Sequence, residues 1–234
     1  MAGTRTTRVE QVRVDAATFT DALRAAAAFI DPDKKSHRHR LNLRSVDAER
    51  DGRNGPEDVH GLIVAGGHPT RAIAVSAGRY GRPEPFAADI TPGAAAQIVK
   101  LFARAGSVEL KHDGKQLTVT ATDALFDNQR LTVRTLPVQA NADAFAVVVR
   151  AVTYTSIDDG RSVELAAATQ GCVAAAAKVL GCHTVIVPVS HGQVPGAMVR
   201  FGTTGVGFVR GNTVTVTGAG PVSYTHLTLP TKRI

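Results

Sequence analysis

One pattern recurs along this chain and restricts its architecture more than any other feature: a short alternating strand, an Ala-rich helix, then several alternating strands. The first copy opens with a strand at Val12–Asp15. The segment Ala16 to Ile30 (AATFTDALRAAAAFI) follows, with Phe19, Leu23, Ala26 and Ile30 at helical spacing and Asp15 placed as an N-cap. Asp31-Pro32-Asp33 stops this helix. A basic loop, Lys34 to Arg40 (KKSHRHR), leads to a strand at Leu41–Val46 and then a polar stretch, Asp47 to His60, expected as an exposed loop. Strands at Leu62–Val64 and Arg71–Ala77 are expected around a turn at Gly66-Gly67-His68-Pro69, followed by a linker from Gly78 to Pro85.

The pattern restarts at Phe86–Ile90. Thr91-Pro92 suits a helix start, and the helix should run to about Arg104 with Ile98, Leu101 and Phe102 on one face. Strands follow at Ser107–His112, Gln116–Thr122 and Arg130–Thr135, with a turn at Asp113-Gly114. After a joint from Pro137 to Gly160, a third copy places a strand at Ser162–Leu165 and a helix from Ala166 to Leu180, stopped by Gly181. Cys182–Val189, Ala197–Phe201 and either Val206–Val209 or Thr213–Thr217 supply its strands. Such repetition points to an α+β protein built from strand–helix–three-strand half-domains.

Charge and composition narrow the function. Lys and Arg number 27 against 20 Asp and Glu, a net charge of +7. An excess of this sign favours a polyanionic partner, chiefly nucleic acid. Aromatic residues make up only 5% and Trp is absent, which disfavours recognition of single strands by base stacking. No apolar run approaches the roughly 18–20 residues that span a bilayer, so no membrane is expected. The opening MAGTRTTRVEQVRVD has no apolar core of a secretory signal. Two cysteines, Cys172 and Cys182, cannot form a disulfide scaffold, and a reducing, cytoplasmic setting is expected.

No catalytic constellation stands out. Cys172 falls in an Ala-rich helix, where a small buried core residue is the simpler reading, and Cys182-His183 lacks a visible activating partner. His37 and His39 lie among cations with no matched third ligand, so neither a metal nor a cofactor is expected. TGVGFVRGN lacks the Lys-Ser/Thr of a phosphate loop. The last segment, Val222 to Ile234 (VSYTHLTLPTKRI), resembles the translation of a sequencing-library adaptor, so the native sequence is expected to be cut off near Pro221 with its own end missing. Leaving out Lys232 and Arg233 lowers the net charge by two.

Six pieces in order carry a family resemblance: VRVDAATFTDALRAAAAF, Arg38-x-x-Leu41-Asn42, LIVAGGHPTRAIAVSA, PFAADITPGAAAQIVKLFARAGSVELKHDGKQLTVTATD, AFAVVVRAV and VELAAATQGCVAAAAKVLGCHTVIVPV. Together they resemble the bacterial DNA polymerase III β sliding clamps, a DNA-clamp fold with antiparallel sheets outside and helices inside. The resemblance departs from the family at Ala146, where the junction usually has Pro, and in a third copy without a partner half. It divides the chain into a clamp domain of two half-domains (1–140), a partial second clamp domain (141–221) and the adaptor-like tail (222–234).

The resemblance implies a non-enzymatic processivity factor: a homo-oligomeric ring around double-stranded DNA that binds a DNA polymerase and a clamp loader through short peptide motifs. A clamp-derived adaptor that forms no closed ring is the alternative. Sliding needs phosphate contacts without base readout. Arg24, Lys100, Arg104 and Lys178 on the helices, with Lys34, Lys35, Arg38 and Arg40 in the basic loop, are the candidates for DNA binding. All would equally suit solvated surfaces. For the peptide rim, Gly67-His68 or Thr70, Arg71 and Ile73 can be matched to the family segment. The rim candidates are therefore His68, Thr70, Arg71 and Ile73, with Val147 from the junction.

Overall fold

The structure, a computed structural model, describes residues 10–52, 55–80, 85–123, 129–152, 155–156, 162–191 and 194–217. The adaptor-like tail 222–234 and the end of the expected second domain lie outside the described residues. The strands are β1 (Glu10–Asp15), β2 (Leu41–Gly52), β3 (Gly55–His68), β4 (Arg71–Tyr80), β5 (Ala87–Ile90), β6 (Ser107–His112), β7 (Gln116–Ala121) and β8 (Arg130–Arg134). Beyond the joint come β9 (Thr155–Ser156), β10 (Ser162–Leu165), β11 (Thr184–His191), β12 (Val194–Phe201), β13 (Gly205–Arg210) and β14 (Val214–Thr217). The helices are α1 (Ala16–Ala27), α2 (Pro92–Phe102), α3 (Ala144–Ala151) and α4 (Ala167–Leu180).

Local chemistry sets most of these boundaries. Asp15 caps α1 by accepting the Thr18 N–H at 2.7 Å. Thr91 does the same for α2 through the Ala94 N–H at 3.2 Å, with Pro92 in the first turn. Gly181 ends α4 in the left-handed conformation at φ +58°. At the β6–β7 turn Asp113 accepts the N–H groups of Lys115 and Gln116, which pull its carboxyl below the usual range, and Gly114 takes φ +88°.

Four strands form one antiparallel sheet in the order β1-β6-β7-β8, and β10 pairs with β14. The largest sheet has eight strands in the order β5-β2-β3-β4-β13-β12-β11-β9. Its central seam joins β4 to β13 with Val75 opposite Gly205 and Arg71 opposite Val209. A continuous ladder therefore crosses the joint expected between the two domains. Helix α1 packs between α2 and α4. Beneath them lies the main core, including Phe19, Leu23, Phe29, Leu43, Val64, Ile73, Val75, Ile98, Phe102 and Phe201, all fully or almost fully buried. Phe29 meets Phe201 edge-on, with ring centroids 6.2 Å apart.

The structure differs from the sequence reading at six places. Helix α1 stops at Ala27, three residues early, because Ala28 and Phe29 turn back onto the Ala25 and Ala26 carbonyls. The stretch Asp47–His60 is a pair of long strand ends rather than a loop, with Asp47 opposite His60 and Gly52 opposite Gly55. The β3–β4 turn falls at Pro69-Thr70. Gly66 and Gly67 lie within β3 for packing reasons instead: a Cβ on Gly66 would collide with the Ala26 carbonyl of α1, and one on Gly67 would lie 2.9 Å from Ala144 Cβ of α3. Leu101 leaves the buried face of α2 and is 38% exposed. The joint contains a helix, α3, and the two alternative final strands both form, as β13 and β14.

Candidate functional site

Helix α3 packs on β3, β4 and β13, its Ala144 and Val148 meeting a second set of apolar residues, Ala65, Ala72 and Ala74. Along β4 these alternate with Ile73 and Val75, which face the main core. Two-residue alternation therefore places α3 on the sheet face opposite α1. Among the described residues, α1, α2 and α4 contribute to the main core on one face, and only the short α3 lies on the other.

A buried polar network fixes the start of α3. Asp89 on β5 is fully buried and accepts from Arg40 Nη1 at 3.2 Å and Asn42 Nδ2 at 2.9 Å. Arg44 Nη2 forms an ion pair with Asp89 at 2.8 Å. Arg44 Nε reaches Asp143 Oδ2 at 3.0 Å, while Asp143 Oδ1 caps α3 through the N–H groups of Phe145 and Ala146. Asn42 Oδ1 accepts the Ala144 N–H at 2.9 Å. Charges taken out of water are tolerated here because each has opposite charge and hydrogen bonds around it.

Helix α3 separates two concavities. On one flank Phe145, Val148 and Val152 face Ile63, Met198 and Val206 across an apolar cavity of about 460 Å³. On the other, Val147 and Arg150 meet Arg38, His68, Arg71 and Arg210 around a cleft of about 270 Å³. Pro69, Thr70 and Phe208 complete this cleft. Arg210 donates from Nε and Nη2 to the Pro69 carbonyl, each at 3.3 Å, which holds it over the β3–β4 turn. His68 Nδ1 lies 3.0 Å from Thr70 Oγ1 and 3.3 Å from the Thr70 backbone N, which ties the imidazole to the β3–β4 turn.

Among the described residues that line the cleft, four are arginines and none is acidic. Burial and the neighbouring Arg71 charge push the His68 imidazole below its ordinary value, with Arg38 adding to the effect. Burial and the charges of Arg210 and Arg150 lower the Arg38 guanidinium in the same way. Asp31 is the nearby carboxylate: burial opposes its ionisation, but hydrogen bonds from Ser36 and the Asp33 N–H, with His68 and His39, hold it below the usual range. Arg71 Nε is buried without a hydrogen-bond partner among the described residues.

The predicted residues separate accordingly. His68, Thr70, Arg71 and Val147 come together around the cleft. Ile73 does not: it is fully buried under α1, because it faces the opposite side of β4. The basic loop divides three ways. Lys34 and Lys35 are exposed, Arg38 enters the cleft, and Arg40 is buried against Asp89 with Nη1 on the Pro137 carbonyl at 2.8 Å. Arg40 is thus a structural residue and is withdrawn from any DNA-facing surface. Lys100, Arg104 and Lys178 are exposed on or beside α2 and α4; Arg24 is exposed on α1 and paired with Asp21 at 2.9 Å. Sequence reading missed Arg150 and Arg210, which no local motif links to residue 68. Cys182 and Cys172 are half-buried, and burial pushes the Cys182 thiol up, the opposite of what a nucleophile needs. Among the described residues no group of His, Cys, Asp and Glu could hold a metal ion, and no helix is long and apolar enough to cross a membrane.

No protein-family model and no curated protein matches the sequence. Solved structures do match. The DNA polymerase III β subunit of Thermotoga maritima superposes with a TM-score of 0.59 at 10% identity, over 87% of this chain and 64% of that one. The Bacillus subtilis DNA polymerase sliding clamp gives 0.53 at 11% identity, over 90% and 65%. The Helicobacter pylori β clamp bound to a DNA ligase peptide gives 0.51 at 11% identity, over 86% and 66%. The chain spans just under two thirds of the length of these structures. It has the α+β fold of the bacterial β sliding clamps, as the order of the six sequence pieces implies.

Proposed function

We propose that this chain is a sliding clamp, a non-enzymatic processivity factor that forms a homo-oligomeric ring on double-stranded DNA in the cytoplasm and tethers a DNA polymerase. The observation that carries this reading is the separation of the two sheet faces. Helices α2, α1 and α4 lie side by side on one face with Arg24, Lys100, Arg104 and Lys178 exposed. Cations at these sites suit sequence-independent contact with phosphates, which positions a duplex without reading it. Lys34 and Lys35 extend the same role to the loop after α1.

Ring closure would use free sheet edges. The side of β8 away from β7, and the side of the Thr184–Pro188 stretch of β11 away from β12, have no neighbouring strand among the described residues. Val185 and Ile186 on β11 are 58% and 37% exposed. Pairing β8 of one copy with β11 of the next would give a heterologous, head-to-tail contact of the kind that closes rings. The opposite face, with α3 and its two concavities, is left for short peptide motifs of the polymerase and clamp loader, with His68, Thr70, Arg71 and Val147 at the rim. Retention on nicked circular DNA tests the reading: a ring stays bound during gel filtration and is released once the DNA is cut. Equal retention on circular and linear DNA would favour an open adaptor.

A further inference from the structure

We infer that the cleft beside α3 is an anion site that recognises a carboxylate side chain of an acidic peptide segment. Four guanidinium groups, from Arg38, Arg71, Arg150 and Arg210, line it with His68, and among the described residues the charge of Asp31 acts on Arg38 and His68. They come from four segments: the loop after α1, β4, α3 and β13. Like charges gathered this closely repel, and burial sharpens the cost. An incoming anion relieves it. Guanidinium forks match a carboxylate bidentately, and the buried Nε of Arg71 has no other partner among the described residues.

Shape and surroundings select a peptide. A cleft of about 270 Å³ accepts one or two side chains. Val147, Phe208 and Pro69 supply apolar walls for the methylenes of Glu or Asp. The larger apolar cavity lies across α3, lined by Phe145, Val148 and Met198. Duplex DNA is assigned to the face covered by α1, α2 and α4, whereas α3 and its apolar cavity lie on the other. The inference rests on the reading that peptides dock beside α3, and adds the charge that such a peptide must carry.

The test uses the full chain, immobilised, and a displayed library of random octapeptides with blocked termini. The expected result is enrichment of Glu or Asp in the selected peptides. A Glu→Gln or Asp→Asn version of the tightest one should bind at least about tenfold more weakly, the scale of one charge-assisted hydrogen bond. Arg210→Gln and Arg38→Gln should weaken the acidic peptide similarly and leave its amide version unchanged, with circular dichroism confirming the fold. Selected peptides that are apolar, show no acidic preference and bind both variants normally would overturn the cleft assignment while leaving peptide docking intact. Failure to select any peptide would overturn both. Displacement of the acidic peptide by a short DNA duplex, with weaker duplex binding in Arg210→Gln, would also overturn it and make the cleft a phosphate site.

Discussion

Arg44 Nε lies 3.0 Å from Asp143 Oδ2, and this pair ties β2 to the first turn of α3. Both side chains are largely buried, and Arg44 also reaches Asp89. The two concavities share α3 as a common wall, so their shapes depend on this link.

Asp143→Ala removes the cap of α3 and leaves Arg44 with one carboxylate. A loss of about 2 kcal/mol or more is expected by urea denaturation. In a double-mutant cycle, Arg44→Met in the Asp143→Ala background should cost less than Arg44→Met alone. Additive losses would show that the pair is not coupled.

Two glycine substitutions should move stability in opposite directions. Gly66→Ala drives a methyl group into the Ala26 carbonyl and should cost about 1–3 kcal/mol. Gly171→Ala, in the exposed part of α4 with nothing within 4 Å, should add about 0.5–1 kcal/mol through helix propensity. Thermal melts of both variants check this, and a stable Gly66→Ala would mean that α1 does not approach β3 so closely.

His68 should make stability depend on pH. Its folded value is lowered by burial and by Arg71, so between its folded and unfolded values the unfolded chain binds more protons. The contribution is complete above the unfolded value near 6.5 and is lost as pH falls through the folded one. His68→Gln should therefore flatten stability against pH below about 6.5, measured by denaturation at each pH.

The proposed DNA face should show itself through salt. Replacing Lys100, Arg104 and Lys178 by Gln should reduce the slope of log affinity against log salt by about 0.9 for each phosphate that is no longer neutralised. The same change at buried Arg40 would damage the fold and not the slope alone. An unchanged slope in the triple variant would remove these helices from the DNA surface.

Ring formation makes a separate prediction about the β11 edge. Ile186→Lys, at an exposed edge position, should lower the solution mass measured by light scattering from an oligomer to a monomer while leaving circular dichroism unchanged. A wild-type chain that is itself a clean monomer would count against the ring.

The sequence by itself determined the features written within a few residues. Asp15 and Thr91-Pro92 start their helices, Gly181 ends α4, Asp113-Gly114 turns a hairpin, and the repeated order points to the clamp fold. Each depends on a cap, a fixed φ or a period that neighbouring residues impose. Only the tertiary structure decided the rest. The polar Asp47–His60 stretch is extended because each strand pairs with the other, and Gly66-Gly67 serves helix packing rather than a turn. Ile73 and Arg40 look like surface residues in their motifs but are buried, one by strand alternation and the other by Asp89. The cleft joins Pro69 to Arg210 across the β4–β13 seam, and such convergence of distant segments leaves no local pattern, because long-range pairing, not nearby sequence, brings those side chains together.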